Sequence, residues 1–280
     1  MAEPAHGPIL LKLGGSLITD KGARERARAD VLARIAAELA ACREAWSRRG
    51  LIVGHGSGSY GHFAAAGTLL ATRERSASSA AGLPAAAART QDAAARLHRL
   101  VVAALLEAGL GPYSAAPSGW LTVRAGRAAS LHLEPLEGAL ELEMVPVIYG
   151  DVVVDRELGM SIASTEDVFH MLVDALAKRG RRPHRAVWLG ETDGILDASG
   201  QTIVTVTPGN LEAVRAATGG SAGVDVTGGM RLRLETAWRL AVAGVPSWIG
   251  DGRRPGVLAA ALAGAPAGGT AVLATPSGEE

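Results

Sequence analysis

Lys12 is the one charged residue in an apolar run over residues 9–13, and Gly14-Gly15-Ser16 follows it directly. A lone ammonium in such a strand costs several kcal/mol unless an anion meets it. The placement therefore predicts an anionic partner; the plain alternative is an edge-strand lysine in solvent. Phosphate needs exposed N–H donors at close range, and glycine allows the required dihedrals and approach. Three places offer this: Gly14-Gly15-Ser16, the stretch Gly54-His55-Gly56-Ser57-Gly58-Ser59-Tyr60-Gly61-His62, and Gly228-Gly229 before a helix, where the macrodipole favours an anion. A single glycine pair usually marks a turn. Three at strand ends of one α/β sheet would converge on one crevice. None fits the Walker pattern or the dinucleotide fingerprint, so a P-loop or Rossmann cofactor site is not expected.

The elements around these residues alternate strand and helix. Residues 9–13 and 51–53 read as buried strands feeding the first two glycine segments, with a helix over 25–46 carrying Val31, Ile35, Leu39 and Cys42 on one face. Residues 73–84 read as a mobile connection that could serve as a lid, before a helix of about twenty residues ending near Gly109. Short strands are expected at 113–116, 120–123 and 145–148, then Gly150-Asp151 and a hairpin through 152–155. Ser164 is an N-cap hydroxyl ahead of Glu166 and Asp167, so a helix should run from there to about Lys178. Strands follow at 186–189, 202–207 and 245–249. Leu232, Thr236, Leu240 and Val242 mark an amphipathic helix, and 257–275 reads as a last helix and strand. This alternation predicts a mostly parallel sheet covered on both faces, with ligands bound beyond the strand C-termini.

Composition narrows the function classes. Lys plus Arg and Asp plus Glu are balanced at 28 each, giving no global charge to attract nucleic acid or an anionic membrane. With Cys42 the only cysteine, no internal disulfide can form, and no metal-ligand pattern surrounds it. No metal-binding residues are expected. The first residues lack a secretory pattern, and 257–275 is too rich in Ala, Gly and Pro for a membrane span. The expected location is cytoplasmic.

Lys12-Leu13-Gly14-Gly15-Ser16, the 54–62 segment, Gly150-Asp151, Glu191-Thr192-Asp193-Gly194-Ile195 and Val226-Thr227-Gly228-Gly229-Met230 resemble, in order, the signatures of the amino acid kinase family. The likeness spans nearly the whole chain. Within it, Gly58-Ser59-Tyr60-Gly61-His62 and Ile18-Thr19-Asp20-Lys21 are most similar to the isopentenyl phosphate kinase branch. The resemblance implies an open αβα sandwich with a mostly parallel central sheet. An acceptor-binding lobe would span 1–183 and an ATP-binding lobe 184–280 on one continuous sheet, commonly in a homodimer. The substrates it implies are ATP with Mg2+ and an isoprenoid monophosphate, the product isopentenyl diphosphate, and the setting an alternative mevalonate route.

Roles follow from the same likeness. Lys12 would bridge the transferring phosphoryl group, lined by Gly14, Gly15 and Ser16. His62 would bind the acceptor phosphate, with Gly56, Gly61 and Gly150 offering backbone contacts and Ser57 nearer the ATP. Asp193, Gly228 and Gly229 would sit on the nucleotide side, and Glu166 and Lys21 would orient the charged groups. His55 reads as a strand-end or packing residue. One departure stands out: Arg233 occupies the position of the family's usual lysine, which changes a point charge into a planar fork. A fosfomycin kinase of the same fold and a non-catalytic nucleotide-binding protein are the rivals. An apolar pocket lined from residues 63–70, 83–105 and 131–140 would favour the isoprenoid acceptor.

Overall fold

The computed structural model describes residues 7–68, 70, 82–220 and 229–274. In chain order the N-terminal elements are β1 (Ile9–Leu13), α1 (Gly15–Ile18), α2 (Ala29–Ala41), β2 (Leu51–His55), α3 (Gly58–Ala65), α4 (Leu83–Glu107) and β3 (Pro112–Ser114). Next come β4 (Leu121–Arg124), β5 (Arg127–Leu131), α5 (Glu134–Glu141), β6 (Val145–Tyr149), β7 (Asp151–Asp155), β8 (Gly159–Ala163) and α6 (Thr165–Lys178). The chain continues through β9 (Arg185–Gly190), β10 (Thr205–Val206), α7 (Leu211–Gly220), α8 (Gly229–Val242), β11 (Ser247–Asp251), α9 (Val257–Ala263) and β12 (Thr270–Val272).

The eight-stranded sheet has the order β10-β12-β11-β9-β1-β2-β6-β3. Every pairing in it is parallel except β11 with β12. Such a sheet must be covered on both faces, which is why its strands read as near-continuous apolar runs. Alternation along β1 divides the layers. Ile9, Leu11 and Leu13 face the side of α2, α4 and α9, whereas Leu10 packs with residues of α6, α7 and α8 on the other. Lys12 alternates onto the Leu10 side. Because β1 lies between β2 and β9, the solvated edge-strand alternative for this lysine fails.

Several expectations need correction. Strand 120–123 does form, as β4, though in a separate four-stranded sheet, β5-β4-β7-β8, whose Leu121, Val123 and Val153 pack into the α6-side core. Strand β5 has three exposed positions, Arg127, Ala128 and Ala129, before its half-buried end, too little apolar patterning to announce it. Helix α2 starts at Ala29 instead of residue 25, because Glu25 adopts a left-handed φ of 53°. Strand 202–207 shrinks to β10, with Thr202 forming an isolated bridge to Leu196. Helix α8 buries Leu234, Ala237 and Leu240, leaving Leu232 and Val242 exposed. Most of the connection read as a lid lies outside the described residues. The last helix and strand form as expected, as α9 and β12.

Candidate active site

The parallel strands bring their C-terminal ends to one edge, and the glycine-rich segments collect there. Gly14 follows β1, Gly56 follows β2 and Gly150 follows β6. The sequence predicts a tight loop at the first and a longer glycine-rich loop at the second; each is a bare turn before a helix begins, α1 at Gly15 and α3 at Gly58. The two turns are pressed together. A β-carbon on Gly15 would lie 2.6 Å from the Gly58 nitrogen, and Gly58 has φ of 49°. Only residues without a β-carbon allow both that approach and that dihedral. Thr19 fastens the seam: its hydroxyl donates to the Gly15 carbonyl (2.7 Å) and accepts from the Ser59 N–H (3.0 Å).

Lys12 is 5% exposed, and its Nζ lies 2.6 Å from Glu166 Oε1. Glu166 is placed there by the first turn of α6, which opens with the expected cap in full form. Ser164 Oγ accepts from the Asp167 N–H (3.1 Å), and the Asp167 carboxylate accepts from the Ser164 N–H (3.2 Å). Burial pushes the Lys12 pKa down, and Arg233 and Lys21 push it further, against the opposing pull of Glu166. Burial alone would raise the Glu166 carboxyl; Lys12 and then Arg233 more than offset it and hold the group ionised. The buried pair thus stands in an excess of positive charge, the condition an arriving phosphate relieves.

Arg233 projects from α8 across the ends of β9 and β1. A β-carbon on Gly190 would fall 2.5 Å from Arg233 Nη1, and one on Gly14 would fall 3.7 Å from Nη2. The guanidinium therefore occupies the space that a side chain at position 190 would need. His62 sits on the exposed side of α3. Partial burial, then Lys21, lower its pKa, with Glu166 pulling up and Lys12 down. His62, Lys21, Lys12 and Glu166 are thus near enough to bias one another's charge. Gly61 packs on the Ser57 side chain, and Ser16 and Ser57 are half-buried at the helix starts; Ser57 makes no side-chain cap bond. At Gly150 a β-carbon would meet nothing closer than 3.6 Å, so packing does not demand glycine there.

On the other side, Gly190 leads into residues 191–195. Asp193 is half-buried and accepts from Arg254 Nη1 (3.2 Å), while Arg28 Nη1 reaches Glu191 (2.8 Å). Thr270 holds the turn by accepting from the Ile195 N–H (2.8 Å) and donating to the Ile203 carbonyl (2.6 Å). Gly229 opens α8, four residues before Arg233, and Gly228 lies outside the described residues.

Residues 7–251 match the amino acid kinase family. The chain belongs to this family. An isopentenyl phosphate kinase from Methanothermobacter thermautotrophicus is 32% identical over 94% of this chain and 98% of its own length. Another, from Haloferax volcanii, is 34% identical over 86% of this chain and 90% of its own. A solved isopentenyl phosphate kinase structure superposes with a TM-score of 0.77 at 28% identity, covering 94% of this chain and 99% of that one. As an amino acid kinase the chain has the αβα sandwich expected of it, and its family activity makes ATP a substrate.

Not every expectation about the crevice holds. Segments 63–70 and 83–105 do meet, through Leu70, Leu83, Ala86 and Ala87 against Val152 and Met160. Residues 131–140 do not join them: Leu133, Leu136 and Leu140 turn into the α6-side core. The residues missed were His98 on α4, Tyr149 at the end of β6 and Thr165 at the start of α6, all buried. His98 had a readable signal. It falls on the apolar stripe of α4 with Ala94, Leu97 and Val101, where a polar ring requires a partner.

Proposed function

We propose that this chain transfers the γ-phosphoryl group of ATP to isopentenyl phosphate, giving isopentenyl diphosphate and ADP. The reading is carried by one observation, the buried Lys12–Glu166 pair with Arg233 close by at the glycine-rich strand ends. The relatives that match nearly end to end bear the name isopentenyl phosphate kinase, which supports the choice of acceptor.

Phosphoryl transfer passes through a loose, anionic transition state, so the protein contributes positioning and charge. A phosphate acceptor is already an anionic nucleophile and needs no general base. His62 then serves as a hydrogen-bond donor that holds the acceptor phosphate, with Gly56, Gly61 and Gly150 offering close backbone approach and Lys21 adding charge. Lys12, kept in line by Glu166, spans the two phosphates, and Arg233 neutralises charge on the donor side with Gly14, Gly15, Ser16 and Ser57. Asp193, Gly228 and Gly229 lie toward the nucleotide. On this reading residues 1–183 hold the acceptor and 184–280 the ATP. On the same reading Mg2+ enters as part of the nucleotide substrate and neutralises its phosphate charge. Among the described residues no helix is long and apolar enough to cross a membrane. A cytoplasmic homodimer completes the reading, and light scattering of the purified chain tests the assembly.

The small apolar cluster of Leu70, Leu83, Ala86 and Ala87 over Val152, two residues from Gly150, supports an apolar tail over a small polar phosphonate. The deciding assay is ADP release with Mg-ATP and isopentenyl, dimethylallyl or geranyl phosphate, or fosfomycin. Turnover of the short isoprenoid phosphates is expected. Turnover of fosfomycin alone would reassign the acceptor, and silence with all four would favour a binding protein. His62→Ala should lose at least 100-fold in turnover without loss of folding, since the side chain is exposed; undiminished activity would remove His62 from the site.

A further inference from the structure

His55 is fully buried at the end of β2, and its two ring nitrogens are both engaged. Nδ1 lies 3.1 Å from the Gly56 carbonyl oxygen, and Nε2 lies 3.1 Å from His98 Nδ1. His98, on α4 and 3% exposed, has its Nε2 2.7 Å from Ser114 Oγ at the end of β3. The protonation pattern follows from one fixed end. A carbonyl oxygen only accepts, so His55 carries its proton on Nδ1 and its neutral ring accepts at Nε2. His98 must then donate from Nδ1 and accept at Nε2, leaving the Ser114 hydroxyl to donate. Tyr149 packs against both rings, with centroids 5.6 Å from His55 and 4.5 Å from His98. Burial lowers the pKa of His55 to about 4 and of His98 to about 3, which keeps both neutral near pH 7.

The backbone of the same residue is a junction. The His55 carbonyl accepts from Thr165 Oγ1 (2.6 Å) and from the Gly150 N–H (3.2 Å), and the next N–H, of Gly56, donates to the Leu13 carbonyl (3.0 Å). One dipeptide thereby joins the turn after β1, the acceptor-side Gly150 and the first residue of α6, adjacent to Glu166. We propose that His98, acting through His55, is a positioning residue that fixes the backbone of Gly56 against the acceptor phosphate. This rests on the acceptor reading given above. The directional chain from Ser114 through His98 and His55 ends on the Gly56 carbonyl and orients it.

Two measurements on the full-length protein test this. Long-range proton–nitrogen NMR spectra of the substrate-free enzyme should show both rings as the Nδ1–H tautomer; an Nε2–H tautomer for either ring overturns the proposal whatever the substrate. Kinetics then separate positioning from packing. Removing the donor to a buried acceptor in His98→Leu should raise the KM for isopentenyl phosphate roughly tenfold or more while leaving the KM for ATP near wild type. His98→Gln, which again offers a donor and an acceptor, should recover most of that loss. A folded His98→Leu with wild-type KM for the acceptor overturns the proposal and leaves the enzyme's assignment intact. Failure of wild-type turnover with isopentenyl phosphate would instead overturn the assignment, while the tautomers still decide the chain itself.

Discussion

Lys12 and Glu166 form a pair whose two members have unequal consequences when removed. Lys12→Met leaves a buried carboxylate with its chief counter-charge gone, a change that typically costs about 3–5 kcal/mol. Lys12→Met with Glu166→Leu removes both charges and should recover most of the stability, while turnover stays below 1% of wild type in each. Chemical denaturation alongside ADP release checks both halves; a double variant as unstable as the single one would show that the pair is structural in its own right. Arg233 is separable in the same way. Its guanidinium is packed beside Gly190, so Arg233→Lys can keep a charge near the phosphates, whereas Arg233→Met cannot. Turnover within about tenfold of wild type is expected for the lysine variant and a loss of more than 100-fold for the methionine variant. If the methionine variant keeps its rate, Arg233 does not meet the nucleotide phosphates.

Helix α6 delivers Glu166 and Thr165 from its first turn, so its cap belongs to the site as well as to the fold. Ser164→Ala removes one half of the capping box and should cost about 1 kcal/mol, lowering the melting temperature by roughly 2–4 °C in a chain of this size. Fraying there also loosens Glu166, so turnover should fall several-fold at temperatures where the protein is still folded. A thermal scan paired with kinetics at 25 °C distinguishes this from simple loss of stability. The two glycine turns act together likewise: α1 and α3 start where they do because Gly15 and Gly58 allow their backbones to touch. The sequence shows that glycines are present but not that they contact one another, and so a run read as a nine-residue loop resolves into a turn and a helix. Spacing along one segment carries no information about a backbone 40 residues away.

The molecule as a whole should lose stability in mild acid. His55 and His98 fold with pKa values of about 4 and 3, below the ordinary 6.5, so the unfolded chain binds more protons between about pH 4 and 6.5. Stability therefore rises with pH in that window and is complete above 6.5. By pH 5 each ring should have cost about 2 kcal/mol relative to neutral pH. Urea midpoints at pH 7 and pH 5 check the sign, and His98→Gln should flatten the difference; an equally steep dependence in that variant would place the effect elsewhere.

What the sequence by itself determined is the material that local chemistry fixes. The order of strands and helices follows from hydrophobic period, the start of α6 at Ser164 from hydroxyl capping, and the need of Lys12 for a counter-charge from the cost of burying a charge. Tertiary structure alone decided the assignments that depend on contacts between distant segments. The second sheet draws β4 away from the first, residues 131–140 turn into the opposite layer, and His55 changes from a strand-end residue into a junction once His98 on α4 and Thr165 on α6 reach it. A hydrogen bond between residues 43 or 110 positions apart leaves no periodic trace in the chain. Each requires only that a buried polar group find a partner, and the fold alone determines which partner is near.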